Sequence, residues 1–229
     1  RILTDRISTL LLCPTEVAVE NLRKEAITEG VYNVGDVMGD AVLYYSKMLE
    51  EHPKEFYFEH LEGIYEPIES VDEWYLATIH RAENTDDIDK IRNILAAFEE
   101  LDAPVIFPVH PRTKGLVTKL RDEHKYSNIL FVQPMGYLDM LYFVKHAKKA
   151  VTDSGGLQKE TYILDTPCVT VRDQTEWVET LVGNHNILAK PEKEDILDKV
   201  NHTVIDRDNK KNYYGTGNAA QIICDLIGE

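Results

Sequence analysis

From Trp74 onward, short runs of β-branched and aromatic residues alternate with amphipathic stretches of about ten residues, a pattern that restricts the chain to a parallel sheet wound with helices. The strand candidates are Trp74–Thr78, Val105–Pro108, Ile129–Val132, Ala150–Thr152, Cys168–Val171 and Asn186–Leu188. Between the first two, Ile88, Ile91, Leu95 and Phe98 recur at helical spacing on one face. Leu138, Leu141 and Val144 do the same before Ala150, and two last helices fit Glu194–Val204 and Ala219–Ile227. The expected class is doubly wound α/β.

Upstream the pattern is weaker. Helical spacing up to about Gly63 is broken by apolar segments at Leu11–Cys13 and Tyr32–Gly35. Met48–Glu73 is charged, weakly periodic and carries Pro53 and Pro67, so a boundary is expected there, dividing the chain into residues 1–73 and 74–229. The chain opens without Met inside an amphipathic pattern of Ile2, Leu3, Ile7 and Leu10, and is expected to be part of a longer protein.

A formal net charge of −15 argues against nucleic acid as a partner, because a phosphate backbone needs a dense basic stripe. No apolar run approaches the roughly 20 residues of a membrane span, so no membrane partner is expected. Three widely separated cysteines, with Cys13 and Cys168 in apolar stretches, read as buried free thiols of a cytoplasmic protein. In so acidic a chain, any basic cluster is informative.

Such clusters fall immediately after strands. The first strand runs into Ile79–Asn84 (IHRAEN), the second into Val109–Lys114 (VHPRTK), the fourth into Asp153–Glu160 (DSGGLQKE) and the fifth into Arg172–Trp177 (RDQTEW). Open α/β sheets bind ligands outside the carboxyl ends of their strands, so four distant segments converge on one site. Ser154, Gly155 and Gly156 form a strand-to-helix turn that lets a ligand approach the backbone, and the following helix offers free N–H groups to a phosphate. An ordinary βα turn capped by Asp153 or Ser154 is the alternative. Glu160 lies one helical turn further on, where its carboxylate could accept both hydroxyls of a ribose or simply face solvent.

His80 with Arg81, and His110 with Arg112 and Lys114, supply a positive rim suited to a diphosphate leaving group. His80 is a candidate general acid or electrostatic stabiliser; two histidines at matching strand ends favour a site over a structural role. Arg172 could bind phosphate while Thr175 caps a helix that Glu176 and Glu179 complement. The Gly-rich Tyr213–Ala220 segment resembles a phosphate turn but follows no strand. No metal-ligand spacing and no G-x-G-x-x-G occur, so neither a metal nor any cofactor is expected.

In order and spacing, IHRAEN, IFPVHPRT, PMGYLDML, VTDSGGLQKE, PCVTVRDQTEW and YGTGNAA resemble the non-hydrolysing UDP-N-acetylglucosamine 2-epimerases. LCPTEVAVENL and VGDVMGDA extend the similarity over essentially the whole chain. The resemblance implies the C-terminal half of a two-domain, type-B glycosyltransferase-like fold, with a Rossmann-like UDP-binding domain over residues 74–229 and residues 1–73 completing or linking to an N-terminal domain. It implies that Ser154, Gly155, Gly156 and Glu160 hold UDP with His110, that His80 is catalytic, and that Arg81 matches a position that helps bind an activating second UDP-sugar. The implied chemistry expels UDP while a base removes the C2 proton, giving a glycal; re-adding UDP with protonation from the opposite face inverts C2. A UDP-sugar is then the partner, the full-length protein is a homodimer serving polysaccharide biosynthesis, and the family's acidic catalytic residues lie upstream of Arg1, leaving this chain inactive alone.

HRAE replaces the bacterial HRRE, RDQTEW replaces RDTTERPE, and GDVMGDA replaces GNTVIDA. These departures resemble a branch that includes epimerases of a UDP-diacetamido-uronic acid. Two readings of other classes share the sequence pattern: a UDP-sugar-binding module without chemistry, and the donor half of a glycosyltransferase.

Overall fold

A computed structural model describes residues 1–228 of the 229. In chain order the elements are α1 (Ile2–Ile7), β1 (Leu11–Cys13), α2 (Glu16–Lys24), β2 (Val31–Asn33), α3 (Val37–Tyr45) and α4 (Lys54–Glu59). There follow β3 (Tyr75–Thr78), α5 (Ala82–Thr85), α6 (Ile88–Glu99), β4 (Val105–Pro108), α7 (Pro111–Glu123) and β5 (Ile129–Val132). The last group is α8 (Tyr137–Lys145), β6 (Ala150–Thr152), α9 (Gly155–Leu164), β7 (Cys168–Val171), β8 (Asn186–Ala189), α10 (Lys193–His202) and α11 (Ala219–Gly228). The described residues group into two compact units, 1–47 with 211–228, and 48–210.

The larger unit holds a six-stranded parallel sheet in the order β5-β4-β3-β6-β7-β8. Winding starts in the middle at β3, runs to one edge through β5, then returns to β6 and runs to the other. The order reverses between β3 and β6, and a crevice must open there at the carboxyl ends. Side chains alternate across each strand. Tyr75, Ala77, Val105, Phe107, Phe131, Val151, Val169 and Val171 face one core with Ile91, Leu95 and Phe98 of α6, Val117 and Leu120 of α7, and Ile196 and Val200 of α10. Each Val, Leu, Ile or Phe side chain among them contributes about 1.5–3 kcal/mol on leaving water.

The boundary expected at residue 73 differs from the packing on two counts. Residues 48–73 belong with the large sheet because their aromatic rings are buried in it. Tyr57 stacks on Tyr142 with centroids 3.7 Å apart, and Phe58 meets Trp74 and Phe143 edge-on. Beyond them, Gly63 bridges antiparallel to Val132 on the exposed edge of β5. Residues 211–228, expected to close the sheet domain, instead pack in the smaller unit. Its parallel pair β1–β2 leads through Gly35, at φ +83°, into α3, whose N-cap Asp36 accepts from the Met38 amide. The Tyr214 carbonyl accepts from the Asp36 amide, and the Asp40 carboxylate accepts from the Ala220 amide to cap α11. Tyr213–Ala220 is therefore a helix entry that packs against residues 35–40, with Gly215 and Gly217 at positive φ.

All three cysteines are free thiols. Cys13 and Cys168 are buried as expected, and burial pushes the Cys168 thiol up to about 11, whereas Cys224 is exposed on α11, contrary to expectation. Among the described residues no helix is long and apolar enough to cross a membrane, and no cluster of His, Cys, Asp and Glu could hold a metal ion.

Candidate functional site

The carboxyl ends of β3, β4 and β6 border a cavity of about 650 Å³ within the larger unit. Thr78 and His80 line it from β3, Pro108, His110 and Pro111 from β4, and Ser154, Gly156, Leu157 and Glu160 from the start of α9. Pro134, Met135, Tyr137 and Met140, around the entry to α8, supply an apolar side. Five of the eight residues proposed from sequence thus share one cavity: His80, His110, Ser154, Gly156 and Glu160.

The two central strands are locked where they meet the crevice, the Thr78 and Thr152 hydroxyls lying 2.6 Å apart. Beyond them, Ser154 occupies the N-cap of α9 without a side-chain capping bond. Its amide donates instead to the Thr152 hydroxyl at 2.9 Å, turning the chain so that α9 begins at the cavity wall. The first N–H groups of a helix have no intrahelical acceptor and carry partial positive charge, so this end suits an anion.

Asp153 does not cap α9 either. Its fully buried carboxylate accepts from the His80 amide at 3.0 and 3.1 Å, the Arg81 amide at 2.8 Å and the Asn84 side chain at 3.0 Å. It therefore ties the loop after β3 to the loop after β6 across the switch point.

Glu160, one turn along α9, is 7% exposed, which rules against a solvent-facing glutamate. Burial pushes its carboxyl up to about 7, opposed by nearby Lys159 and by a hydrogen bond with Tyr137. A buried acceptor at the cavity wall that is readily ionised near neutrality suits a ligand that brings hydroxyl donors.

The histidines form the facing wall, with ring centroids 5.2 Å apart. Burial holds the His80 imidazolium below the ordinary histidine range; Asp153 opposes this, and His110, Arg81 and Arg112 add to it. An arriving anion would oppose this and favour protonation of His80. His110 is the N-cap of α7: its Nδ1 accepts from the Arg112 amide at 3.1 Å, and Pro111 follows at the first helical position. That bond leaves Nε2–H as a donor.

The remaining three candidates lie off the cavity. Gly155 faces the other side of the turn, where a Cβ would stand 3.2 Å from Trp177 Nε1 and 3.4 Å from an Arg81 guanidinium nitrogen. The side chain of Arg81 accordingly flanks the turn from behind. Arg172 is buried, and its guanidinium donates to both carboxylate oxygens of Glu176 at 2.9 and 3.2 Å, with Glu83 at 3.6 Å. The helix expected from Thr175 does not form there. Thr175 instead donates to Gln158 and accepts from the Trp177 amide, and a 3-10 segment broken at Gly183 follows.

Sequence reasoning did not single out Asp153 as a ligand of the His80 loop, nor Tyr137 or Asn84. Asn84 lies within the IHRAEN motif, so its polar type in the same segment as His80 and Arg81 was the available signal. Tyr137 lies within the PMGYLDML motif, but only packing brings α8 against α9.

A family model described as UDP-N-acetylglucosamine 2-epimerase matches residues 1–228. A UDP-N-acetylglucosamine 2-epimerase homolog of Methanococcus maripaludis is 42% identical over 230 residues, which is 99% of this chain and 62% of that protein. The UDP-2,3-diacetamido-2,3-dideoxy-D-glucuronate 2-epimerase of Pseudomonas aeruginosa is 36% identical over 240 residues, covering 100% of this chain and 62% of that protein. Among solved structures, the UDP-GlcNAc 2-epimerase of Methanocaldococcus jannaschii in complex with UDP-GlcNAc and UDP is similar with a TM-score of 0.86 at 34% identity. That match covers 100% of this chain and 63% of that one. The chain therefore spans less than two thirds of the length of these relatives.

Proposed function

The chain belongs to the UDP-N-acetylglucosamine 2-epimerase family, and we propose that it forms the UDP-binding half of an enzyme interconverting UDP-N-acetylglucosamine and UDP-N-acetylmannosamine at C2. One observation carries this reading: a helix N-terminus, a buried carboxyl and two histidines share a single cavity at the switch point of a parallel sheet. A nucleoside diphosphate matches those features in order. The start of α9, with Ser154, Gly155 and Gly156, receives the diphosphate, Glu160 accepts the ribose hydroxyls, and the Nε2–H of His110 donates to the nucleotide.

His80 is then placed for the chemistry. C2 of the sugar has no neighbouring carbonyl, so its proton becomes removable only as the C1–O bond breaks and UDP departs. The bonding pair moves onto a β-phosphate oxygen, and an imidazolium beside it stabilises the growing charge. The glycal and UDP must stay together until UDP returns to C1 and C2 is protonated from the opposite face, which explains so many anion-directed groups. Arg172 reaches a phosphate in this reading only by exchanging its Glu176 partner. Arg81, behind the turn, is the group available to a second anionic ligand.

The second reading is C2 epimerisation of a UDP-diacetamido-uronic acid, favoured by the P. aeruginosa relative at 36% identity and by HRAE in place of HRRE. Three free thiols support a cytoplasmic setting; a homodimer rests on family resemblance and is measured by sedimentation equilibrium. Function is tested with the longest gene product carrying this chain, incubated in heavy water with each sugar nucleotide. Deuterium should enter C2 of UDP-N-acetylglucosamine as its manno epimer appears. Deuterium in the uronic substrate alone selects the second reading, and UDP binding with exchange into neither leaves a binding module.

A further inference from the structure

Asp153 is a buried carboxylate whose hydrogen-bond donors all come from residues 80–84, just after β3. Two main-chain amides, those of His80 and Arg81, donate to it, and the Asn84 carboxamide is a third donor. Asn84 is itself buried, and its nitrogen also reaches the Val171 carbonyl at 3.1 Å, so the carboxylate is moored to the end of β7. Three strand ends are joined through two side chains. The Nδ1 of His80 lies 3.8 Å from Asp153 Oδ1, inside ion-pair range and just beyond a direct hydrogen bond. Catalytic hydrogen bonds are often long in an empty site and tighten when ligand arrives.

We infer that Asp153, moored by Asn84, is a positioning residue for His80: it holds the histidine's main chain at the cavity wall and keeps the imidazole proton on the nitrogen facing the carboxylate. A negative group beside Nδ1 favours Nδ1–H and leaves Nε2 for the cavity that His80 lines. It also favours the imidazolium when charge grows on a departing diphosphate. A second carboxylate could not do the mooring, because it brings no donor to Asp153; the amide of Asn84 does. This assignment rests on the proposed role of His80 but concerns contacts that stand without it.

The groups facing His80 are Asp153, which lifts its titration, and His110, Arg81 and Arg112, which lower it. The test is an NMR titration of the His80 imidazole in the 229-residue chain and in Asp153→Asn. The His80 midpoint should move down in the variant. A folded Asp153→Asn with an unmoved His80 midpoint overturns the inference. If that variant does not fold, the unaltered chain decides. The His80 and Arg81 amides should exchange with solvent at least about 100-fold more slowly than unstructured amides, although they lie in a loop at a cavity mouth. Exchange at the unprotected rate refutes the mooring. Calorimetry with UDP on the same samples separates the two ideas: a moved midpoint without UDP binding removes the functional reading alone, and UDP binding with an unmoved midpoint removes the positioning role alone.

Discussion

Replacing Glu160 with Gln should stabilise the protein in mild alkali and weaken its hold on UDP at the same time. The carboxyl is 7% exposed, and burial raises it from 4.5 to about 7, a gap worth ~3 kcal/mol. The sign follows from linkage. Below pH 4.5 the group is protonated folded and unfolded, and its contribution to stability is fully present. As pH rises through about 7 the folded state must ionise a buried group, and that contribution is lost. Gln carries no proton to lose. Near pH 4.5 the variant and the parent should therefore melt at closely similar temperatures. At pH 8 the variant should melt higher, by roughly 6–12 °C if the full ~3 kcal/mol is recovered in a domain of this size.

Binding should respond in the opposite direction. Hydrogen bonds to an ionised group contribute about 1.5–3 kcal/mol, so exchanging the carboxylate for an amide should weaken UDP at pH 8 by about 10- to 100-fold. Ribose hydroxyls favour the ionised form, so UDP binding to the unaltered protein near pH 7 should release protons. Calorimetric enthalpies measured in buffers of different ionisation heat should differ accordingly, and in Glu160→Gln they should coincide. Scanning calorimetry at the two pH values and titration calorimetry with UDP suffice. Equal melting temperatures at pH 8, or equal UDP affinity, would refute the placement of Glu160 as a buried ribose acceptor.

Three further perturbations probe other levels of the structure. Gly155→Val should abolish measurable UDP binding by calorimetry, because even a Cβ meets Trp177 Nε1 at 3.2 Å and a branched side chain must displace the turn; Gly155→Ala should lose far less. Asn128→Ala should cost about 1–3 kcal/mol in urea unfolding, since its amide, just before β5, donates to the Phe98 carbonyl at the end of α6 and to the Leu101 and Ala103 carbonyls of the loop leading into β4. Phe98→Ala, fully buried beneath the sheet, should cost about 3–5 kcal/mol in the same assay, with the denaturant slope unchanged.

The correspondence between sequence and structure follows the range of the interactions involved. Val105–Pro108, Ile129–Val132, Ala150–Thr152 and Cys168–Val171 coincide with the strands residue for residue. Their β-branched and aromatic composition is local, and the turn residues at their ends are local too. The same holds for Ser154–Gly156, where small residues between strand and helix are visible without the fold. Convergence of His80, His110, Ser154, Gly156 and Glu160 was also legible, because one general rule of parallel sheets carries strand ends to a common edge.

Other features depend on partners far away in sequence. Proline and charge made residues 48–73 resemble a linker, yet Tyr57 and Phe58 find Tyr142, Trp74 and Phe143 and are buried with the sheet. Ala219–Ile227 looked like the last helix of the sheet domain, but the Tyr214 carbonyl and Asp40 carboxylate hold it and its entry with the N-terminal segment. Arg172 had the charge to grip phosphate and is held by Glu176 instead. Asp153 looked like a helix cap, and tertiary structure gave it amide donors from another loop.

By itself the sequence determined the element types, the polarity of their ends and the inventory of groups at the crevice, since these depend on side-chain periodicity within a few residues. Only the tertiary structure decided which strands are neighbours, that the crevice opens between β3 and β6, that Glu160 is buried and pushed up to about 7, and that Asp153 accepts from the His80 and Arg81 amides. Desolvation and hydrogen bonding between distant segments set those properties, and neither exists until the chain has folded.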